Sequence, residues 1–202
     1  MIHFNVLIIG GGVAGMQCGL ILGSAKSKAF AIDKKIGIIM HQKSSHLQNA
    51  LFNNVLGVEK GTLGKTLLEL GKKQLSDSYS HIFQIEDEKV ISIEENEGDY
   101  IIKTNKNTYS SNIVVIALNY SKPFTIKGLD YYMEPHKKAN PKKDRIQLRN
   151  DDHLVKDGLY VCGTIAGWRS QFAIAAGSGA SVATDILTLW NEGSPTKIHD
   201  KI

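Results

Sequence analysis

Six residues near the start of the chain, Gly10-Gly11-Gly12-Val13-Ala14-Gly15, follow the spacing G-x-G-x-x-G. That spacing suits the binding of a diphosphate. Gly10 permits a tight turn out of a strand, Gly12 lets a diphosphate approach the backbone, and Gly15 lets a helix lie close to a sheet. The helix start then offers unpaired N–H groups and a positive dipole end to the anion. An acid at the end of the next strand completes such a site by accepting hydrogen bonds from a ribose. Asp33, followed by Lys34, holds that position in this reading. Alone, Asp33 would be a solvated strand-end residue; the strand–turn–helix–strand context turns the reading towards a dinucleotide. A second glycine-rich stretch, GTLGKT from Gly61 to Thr66, is not a phosphate loop. Glu59 stands where that motif needs glycine, and no clear strand precedes it.

The elements that must position these residues follow from hydrophobic patterning. Residues 4–9 are a run of apolar and β-branched side chains that glycines end, which predicts a buried parallel strand. Residues 13–22 have helical spacing and 29–33 read as a second short strand, so the three form a right-handed βαβ unit. Leu63, Leu67, Leu68 and Leu75 share one side of a helix over 63–75. Strands are predicted over 81–85, 89–94, 100–104 and 108–117, with a hairpin turn at Glu97-Gly98-Asp99. The basic, proline-containing segment 130–149 reads as an exposed connection, 158–163 as another buried strand, 171–190 as a long helix, and 191–202 as a frayed tail. The fold class is α/β, a Rossmann-like, mostly parallel sheet with a small three-stranded antiparallel β element.

The composition bounds the function. The chain has 202 residues, 42% of them apolar and 22% charged, which suits one globular domain. A net charge of +4 is too mild to argue for nucleic acid. The two cysteines, Cys18 and Cys162, are far apart and form no C-x-x-C pair, so no disulfide framework is expected and a cytoplasmic setting fits. No signal peptide, no internal repeat and no apolar segment long enough for a bilayer is read, so no membrane role is expected. The seven histidines lack metal-ligand spacing; His41 and His46 could share a loop but lack partners, and no metal site is expected.

The far end of the chain carries the more specific pattern, GLYVCGTIAGWRSQFAIAAGSGASVATDI. It is similar to the closing segment of the thioredoxin reductase family of flavoproteins. In that family a strand ends in Gly-Asp, and a helix follows that begins with Gln and carries G-x-G six residues later. Gly163-Thr164, Gln171, and Gly177 with Gly179 stand at those positions. The resemblance implies that the N–H groups of Gln171, Phe172 and Ala173 face the pyrimidine edge of a flavin. It extends to Asn54, to Val90 where the family's backbone meets adenine, and to the strand ending at Ala117. It covers residues 4–128 and 158–189. The domain is then one unit over 1–202, its halves 1–128 and 158–190 joined by a short basic linker at 130–149.

What the resemblance implies is a compact FAD-binding oxidoreductase, similar to the FAD half of thioredoxin reductase, with a small-molecule or protein redox partner and compatible with a homodimer. Two parts of the family pattern are missing. The few tens of residues between Ala117 and Gly158 are too few for the family's inserted NADPH domain, and the redox C-x-x-C is absent, so disulfide reductase activity is not expected. Three positions depart: Asp33 for the commoner glutamate, Leu118-Asn119 for Thr-Gly, and Thr164 for an aspartate. They keep open a second reading, a non-catalytic module that holds FAD or NAD(P) as a sensor or structural ligand. Cys162 and Cys18 read as buried filling residues, with a flavin-reactive thiol as the functional alternative for Cys162. Trp168 and Arg169 either line a substrate surface or cover the cofactor. Lys137, Lys138, Lys142, Lys143 and Arg145 are a solvated linker or steer an acidic partner. No catalytic residue is named.

Overall fold

The computed structural model describes residues 1–42 and 45–199. Its centre is a parallel sheet in which β12 (Leu159–Val161), β8 (Thr108–Ile116), β1 (Ile2–Ile9), β2 (Ile36–Met40) and β5 (Phe83–Glu86) lie side by side in that order. Alternate side chains leave each strand on opposite faces. Val6 and Ile8, with Ile36, Ile38, Ile113 and Val115, face a core shared with α1 (Val13–Ser24), α2 (Gly64–Ser78) and α3 (Phe172–Trp190). Leu7 and Ile9, with Ile39, Val114 and Ile116, face a second core on the other side. Burial on both faces explains why these strands read as continuous apolar runs.

The second core is covered by the three-stranded antiparallel element. Strands β6 (Val90–Asn96), β7 (Asp99–Thr104) and the first half of β8 form it, so β8 belongs to both the element and the parallel sheet. Inside it, the buried Glu88 carboxylate accepts hydrogen bonds from Thr104 Oγ1 at 2.6 Å, Asn107 Nδ2 at 2.6 Å and Tyr109 O–H at 2.9 Å. Burial pushes this carboxyl up. The three donors and the charge of Lys106 outweigh burial and hold it below the usual carboxylate range. A folded-state pKa below the unfolded one gives stability that is present above the unfolded pKa and is lost as pH falls through the folded one. Glu88→Gln should therefore cost about 1–3 kcal/mol at neutral pH, because its amide N–H₂ faces donors. Urea melts of the two proteins should converge as pH falls below the carboxylate range; an unchanged gap would remove Glu88 from this role.

Four sequence expectations are corrected. The strand after α1 is β2 at Ile36–Met40, and 29–33 are turns. Residues 29–33 and 36–40 are both strand-like locally, but only the second run pairs with β1, Val6 opposite Ile36, and is buried throughout. The 130–149 segment is not wholly exposed: it folds into the pair β9 (Met133–Pro135) and β10 (Ile146–Leu148), and Ile146 and Leu148 enter the second core. No helix beyond short 3₁₀ turns forms between 117 and 158. The 19-residue α3 is, by length and composition, long and apolar enough to cross a membrane. One of its faces packs in the core: Val182, Ala183, Ile186 and Leu187 are fully buried where it meets α1. Finally, the described part of the tail folds back, with Thr196 N–H donating to Thr188 Oγ1 at 3.0 Å and Ile198 against the helix-side core. Residues 200–202 of that tail lie outside the described residues. The hairpin of β11 (Leu154–Lys156) with β12 closes the far edge of the sheet, and a separate short pair, β3 (Leu51–Phe52) with β4 (Thr62–Leu63), leads into α2.

Candidate functional site

A cavity of about 210 Å³ opens where β1, β2, β8 and β12 end. In open α/β sheets ligands bind outside these carboxyl ends. Gly10 makes the first wall. Its φ of +123° is open to glycine, and an added Cβ would lie 2.3 Å from the Ala117 carbonyl oxygen. Gly15 touches the same turn from the helix side, where a Cβ would come within 1.9 Å of Gly10 O. Gly12 is different: a Cβ there would meet nothing within 4 Å. It is the N-cap of α1, and no side chain caps that end.

The far end of the chain supplies the opposite wall. Gly163, Thr164, Gln171 and Phe172 line the cavity together with Val13, Ala14 and Ala117. Gln171 is the N-cap of α3, again with no side-chain cap bond. Helix α3 reaches α1 because Gly179 has no side chain; a Cβ there would sit 2.0 Å from Ala14 O. Two helix N-termini with uncapped N–H groups therefore meet at one cavity, an arrangement that favours anions. Among the described residues lining it, none is Asp or Glu.

The Gly163-Thr164 segment is held from behind by two buried histidines. His136 Nδ1 accepts from Lys138 N–H at 3.1 Å, so its Nε2–H donates to Thr164 O at 3.0 Å. On the other side, Ser178 Oγ accepts from Gly163 N–H at 2.8 Å and meets His153 Nε2 at 2.8 Å. Trp168 Nε1–H donates to the same His153 nitrogen at 3.1 Å and its ring stacks on the imidazole. Asp152 Oδ1 lies 3.5 Å from His153 Nδ1. Asp152, His153 and Ser178 thus stand in the order of a hydrolytic triad, a grouping with no support in the sequence. Ser178 is buried and engaged by Gly163, so the group is a brace for the loop and not a nucleophile. Trp168 belongs to this brace and lies outside the cavity lining.

Several expected site residues lie elsewhere. Asp33 and Lys34 precede β2 and so sit at the opposite end of the sheet, where Lys34 Nζ lies 5.4 Å from the Trp190 ring. The position after β2 belongs to His41 and Gln42. Both line the cavity, and Gln42 Nε2 donates to Gly11 O at 2.6 Å. Asn54 is exposed in a turn, Val90 is buried in the second core, and Ala173 is on the outer side of the first turn of α3; none of the three lines the cavity. The segment after β2 contributes residues that the sequence left unassigned, Ser45, His46, Leu47, Ala50 and Phe52, the last edge-on to Phe172 at 5.4 Å. Placing the strand at 36–40 would have found them, since a fully apolar IGIIM run is the stronger strand signal. The His46 imidazole is held below its usual range by burial and by the nearby Arg145.

Both cysteines lie in the helix-side core. Burial pushes the Cys162 thiol up to about 12, and burial and then neighbouring Cys162 push Cys18 well up. Cys162 also touches the cavity. A thiol held in the protonated form is a poor nucleophile at neutral pH.

Comparisons with known proteins agree with this architecture. Residues 4–179 match the family described as pyridine nucleotide-disulphide oxidoreductase. None of the curated proteins matches the chain. Among solved structures, a thioredoxin reductase from Gloeobacter violaceus is similar with a TM-score of 0.75 at 13% identity, covering 100% of both chains. A ferredoxin-flavin thioredoxin reductase from Clostridium acetobutylicum is similar with a TM-score of 0.67 at 18% identity, covering 94% of this chain and 99% of the other. An oxidoreductase from Agrobacterium tumefaciens gives 0.70 at 14%, covering 93% and 99%. At these identities the structures show the fold, a thioredoxin reductase-like mixed α/β arrangement, and the family match shows membership: the chain belongs to the pyridine nucleotide-disulphide oxidoreductase family.

Proposed function

We propose that the chain is a compact FAD-binding oxidoreductase. The observation that carries this reading is the meeting of two uncapped helix N-termini and the open face of Gly12 at one cavity lined by no carboxylate among the described residues. These groups fit a dinucleotide. The N–H groups at the start of α1 would hold the diphosphate, with Gly12 leaving room for it. Thr164 has a hydroxyl to offer where an aspartate would add repulsion. Gln171 and Phe172 would bring the positive end of α3 to the electron-rich edge of the flavin ring. His41 and Gln42, which line the cavity after β2, would meet the ribose end with hydrogen-bonding groups in place of an acid. Bound FAD would supply the redox chemistry, and the protein would bind it, orient it and set its electrostatics.

The segment between β8 and β11 holds only the short strands β9 and β10 and 3₁₀ turns and is too short for a second nucleotide-binding domain, so reducing equivalents would come from free nicotinamide, a small molecule or a partner protein. The two buried free thiols suit a reducing compartment such as the cytoplasm. A second reading, a non-catalytic FAD- or NAD(P)-binding module, is favoured by one observation. Among the described residues lining the cavity, the only thiol is held protonated and there is no carboxylate to move a proton.

The absorption spectrum of the purified chain tests both. Flavin bands that bleach with NAD(P)H or a thiol and return in air are expected. Bands that no reductant bleaches would favour the module. A colourless protein that binds NAD(H) and releases no flavin on denaturation would sink the FAD reading.

A further inference from the structure

We propose that Arg145, with Ser121 and the cavity-lining His46, forms an anion subsite beside the cavity, and that it holds the carboxylate or phosphate group of a small anionic substrate. The substrate role rests on the redox reading above; the subsite itself does not.

Three chain segments build this group. His46 comes from the turn after β2 and lines the cavity. Ser121 follows β8 by a few residues, and Arg145 immediately precedes β10. Arg145 NH1 donates to Ser121 Oγ, and the same oxygen lies 3.3 Å from His46 Nε2. Tyr120 floors the cluster. The Arg145 guanidinium lies over its ring at 5.0 Å, His46 meets it edge-on at 5.5 Å and His136 lies at 5.1 Å on a tilted plane. The guanidinium is thus fixed in place by a ring and a hydroxyl.

It has no counter-charge. Among the described residues no carboxylate pairs with Arg145. Its neighbour Asp144 is taken by Lys122 Nζ at 2.7 Å. The Arg145 Nε–H is buried and finds no acceptor. A half-buried cation with unspent donors is costly unless something satisfies it. The planar fork of arginine matches carboxylate and phosphate groups, which accept two of its N–H bonds at once. The exposed Lys142 and Lys143 add positive field on the approach.

The histidine gives the subsite a pH response. Arg145 and burial hold His46 below its usual range. The other titratable groups near it are His41 in the cavity lining and His136 beyond Tyr120. An anion seated between Arg145 and His46 offsets the guanidinium's repulsion, so binding raises the His46 pKa and strengthens as pH falls.

The test uses the full chain as purified and follows the His46 ring signals by NMR at constant ionic strength. Potassium phosphate and potassium acetate are added in separate titrations. Saturable movement of the His46 signals with a rise in its pKa is expected for at least one anion, and the anion that saturates names the group. Arg145→Gln should weaken that binding about tenfold or more, and Arg145→Lys, which keeps the charge and loses the fork, should fall between. Circular dichroism checks that both variants fold. No saturable movement with either anion, or Arg145→Gln titrating like the parent, overturns the subsite. Flavin content is measured on the same samples: a flavin-free protein that still shows the Arg145-dependent response upholds the subsite and overturns only the redox reading.

Discussion

Gly12→Asp is expected to empty the cavity of dinucleotide while leaving the fold intact. The two effects separate because of where a side chain at this position would go. A Cβ on Gly12 meets no protein atom within 4 Å, so there is nothing to clash with. The residue has extended backbone (φ −82°, ψ −173°) and is the N-cap of α1, a position that Asp fills well. The new carboxylate would cap the first-turn N–H groups from within and carry negative charge into the space for the diphosphate. Losing those donors and adding repulsion should cost at least about 3 kcal/mol of binding, a factor of roughly 100 or more. Flavin released by denaturation should fall to background in the purified variant, while its thermal midpoint stays at or above that of the parent. A variant that retains stoichiometric flavin would show that the diphosphate does not lie on α1.

The same turn gives the opposite result three residues on. Gly15→Val should prevent folding. Its Cβ would lie 1.9 Å from Gly10 O and 3.1 Å from the Ala117 Cβ. The first of these is a backbone atom in the turn between β1 and α1, so no side-chain rotation relieves it. Overfilling a core commonly costs about 1–3 kcal/mol, and a backbone clash of this depth more. Domains of this size hold only about 5–15 kcal/mol in reserve. Helix α1 would have to leave the sheet, and with it the contact at which Gly179 seats α3 on Ala14. Gly15→Ala carries the same Cβ against Gly10 O, so if it folds at all its urea midpoint should fall steeply. An unchanged midpoint would mean that α1 does not dock as described.

Together the two substitutions show why one motif could be read so differently at its glycines. Gly10 and Gly15 touch neighbours close in sequence or at the adjoining strand end, so their reason is structural whatever the ligand. A Cβ on Gly12 would touch nothing, and open space beside a half-buried turn is an observation that only coordinates supply. The C-terminal pattern was equally legible. Gly163, Thr164, Gln171 and Phe172 do reach the cavity that the glycine turn opens. Asp33 did not transfer. An acid at the end of a short apolar run matched the expected template. Two strand-like runs, 29–33 and 36–40, compete for one place in the sheet, and local preference does not separate them. Pairing with β1 and burial on both faces do. With the strand moved along the chain, the position after β2 passes from an acid to His41 and Gln42, and a different segment of loop becomes the cavity wall. The 130–149 segment failed for a related reason: its lysines and proline marked it as exposed, while Ile146 and Leu148 are the minority that anchors it in the second core.

The amino-acid sequence by itself determined the element types, the parallel sheet, the glycine turn and the helix that closes the site. Each of these depends on periodicity or on backbone freedom within a few neighbouring residues. Tertiary structure alone decided which residues follow β2 at the cavity, how His136, His153 and Ser178 brace the Gly163-Thr164 segment, and that His46, Ser121 and Arg145 meet around Tyr120. Those groupings join residues from distant segments, and the choice among them is made by strand register and by competition for burial, which no local window contains.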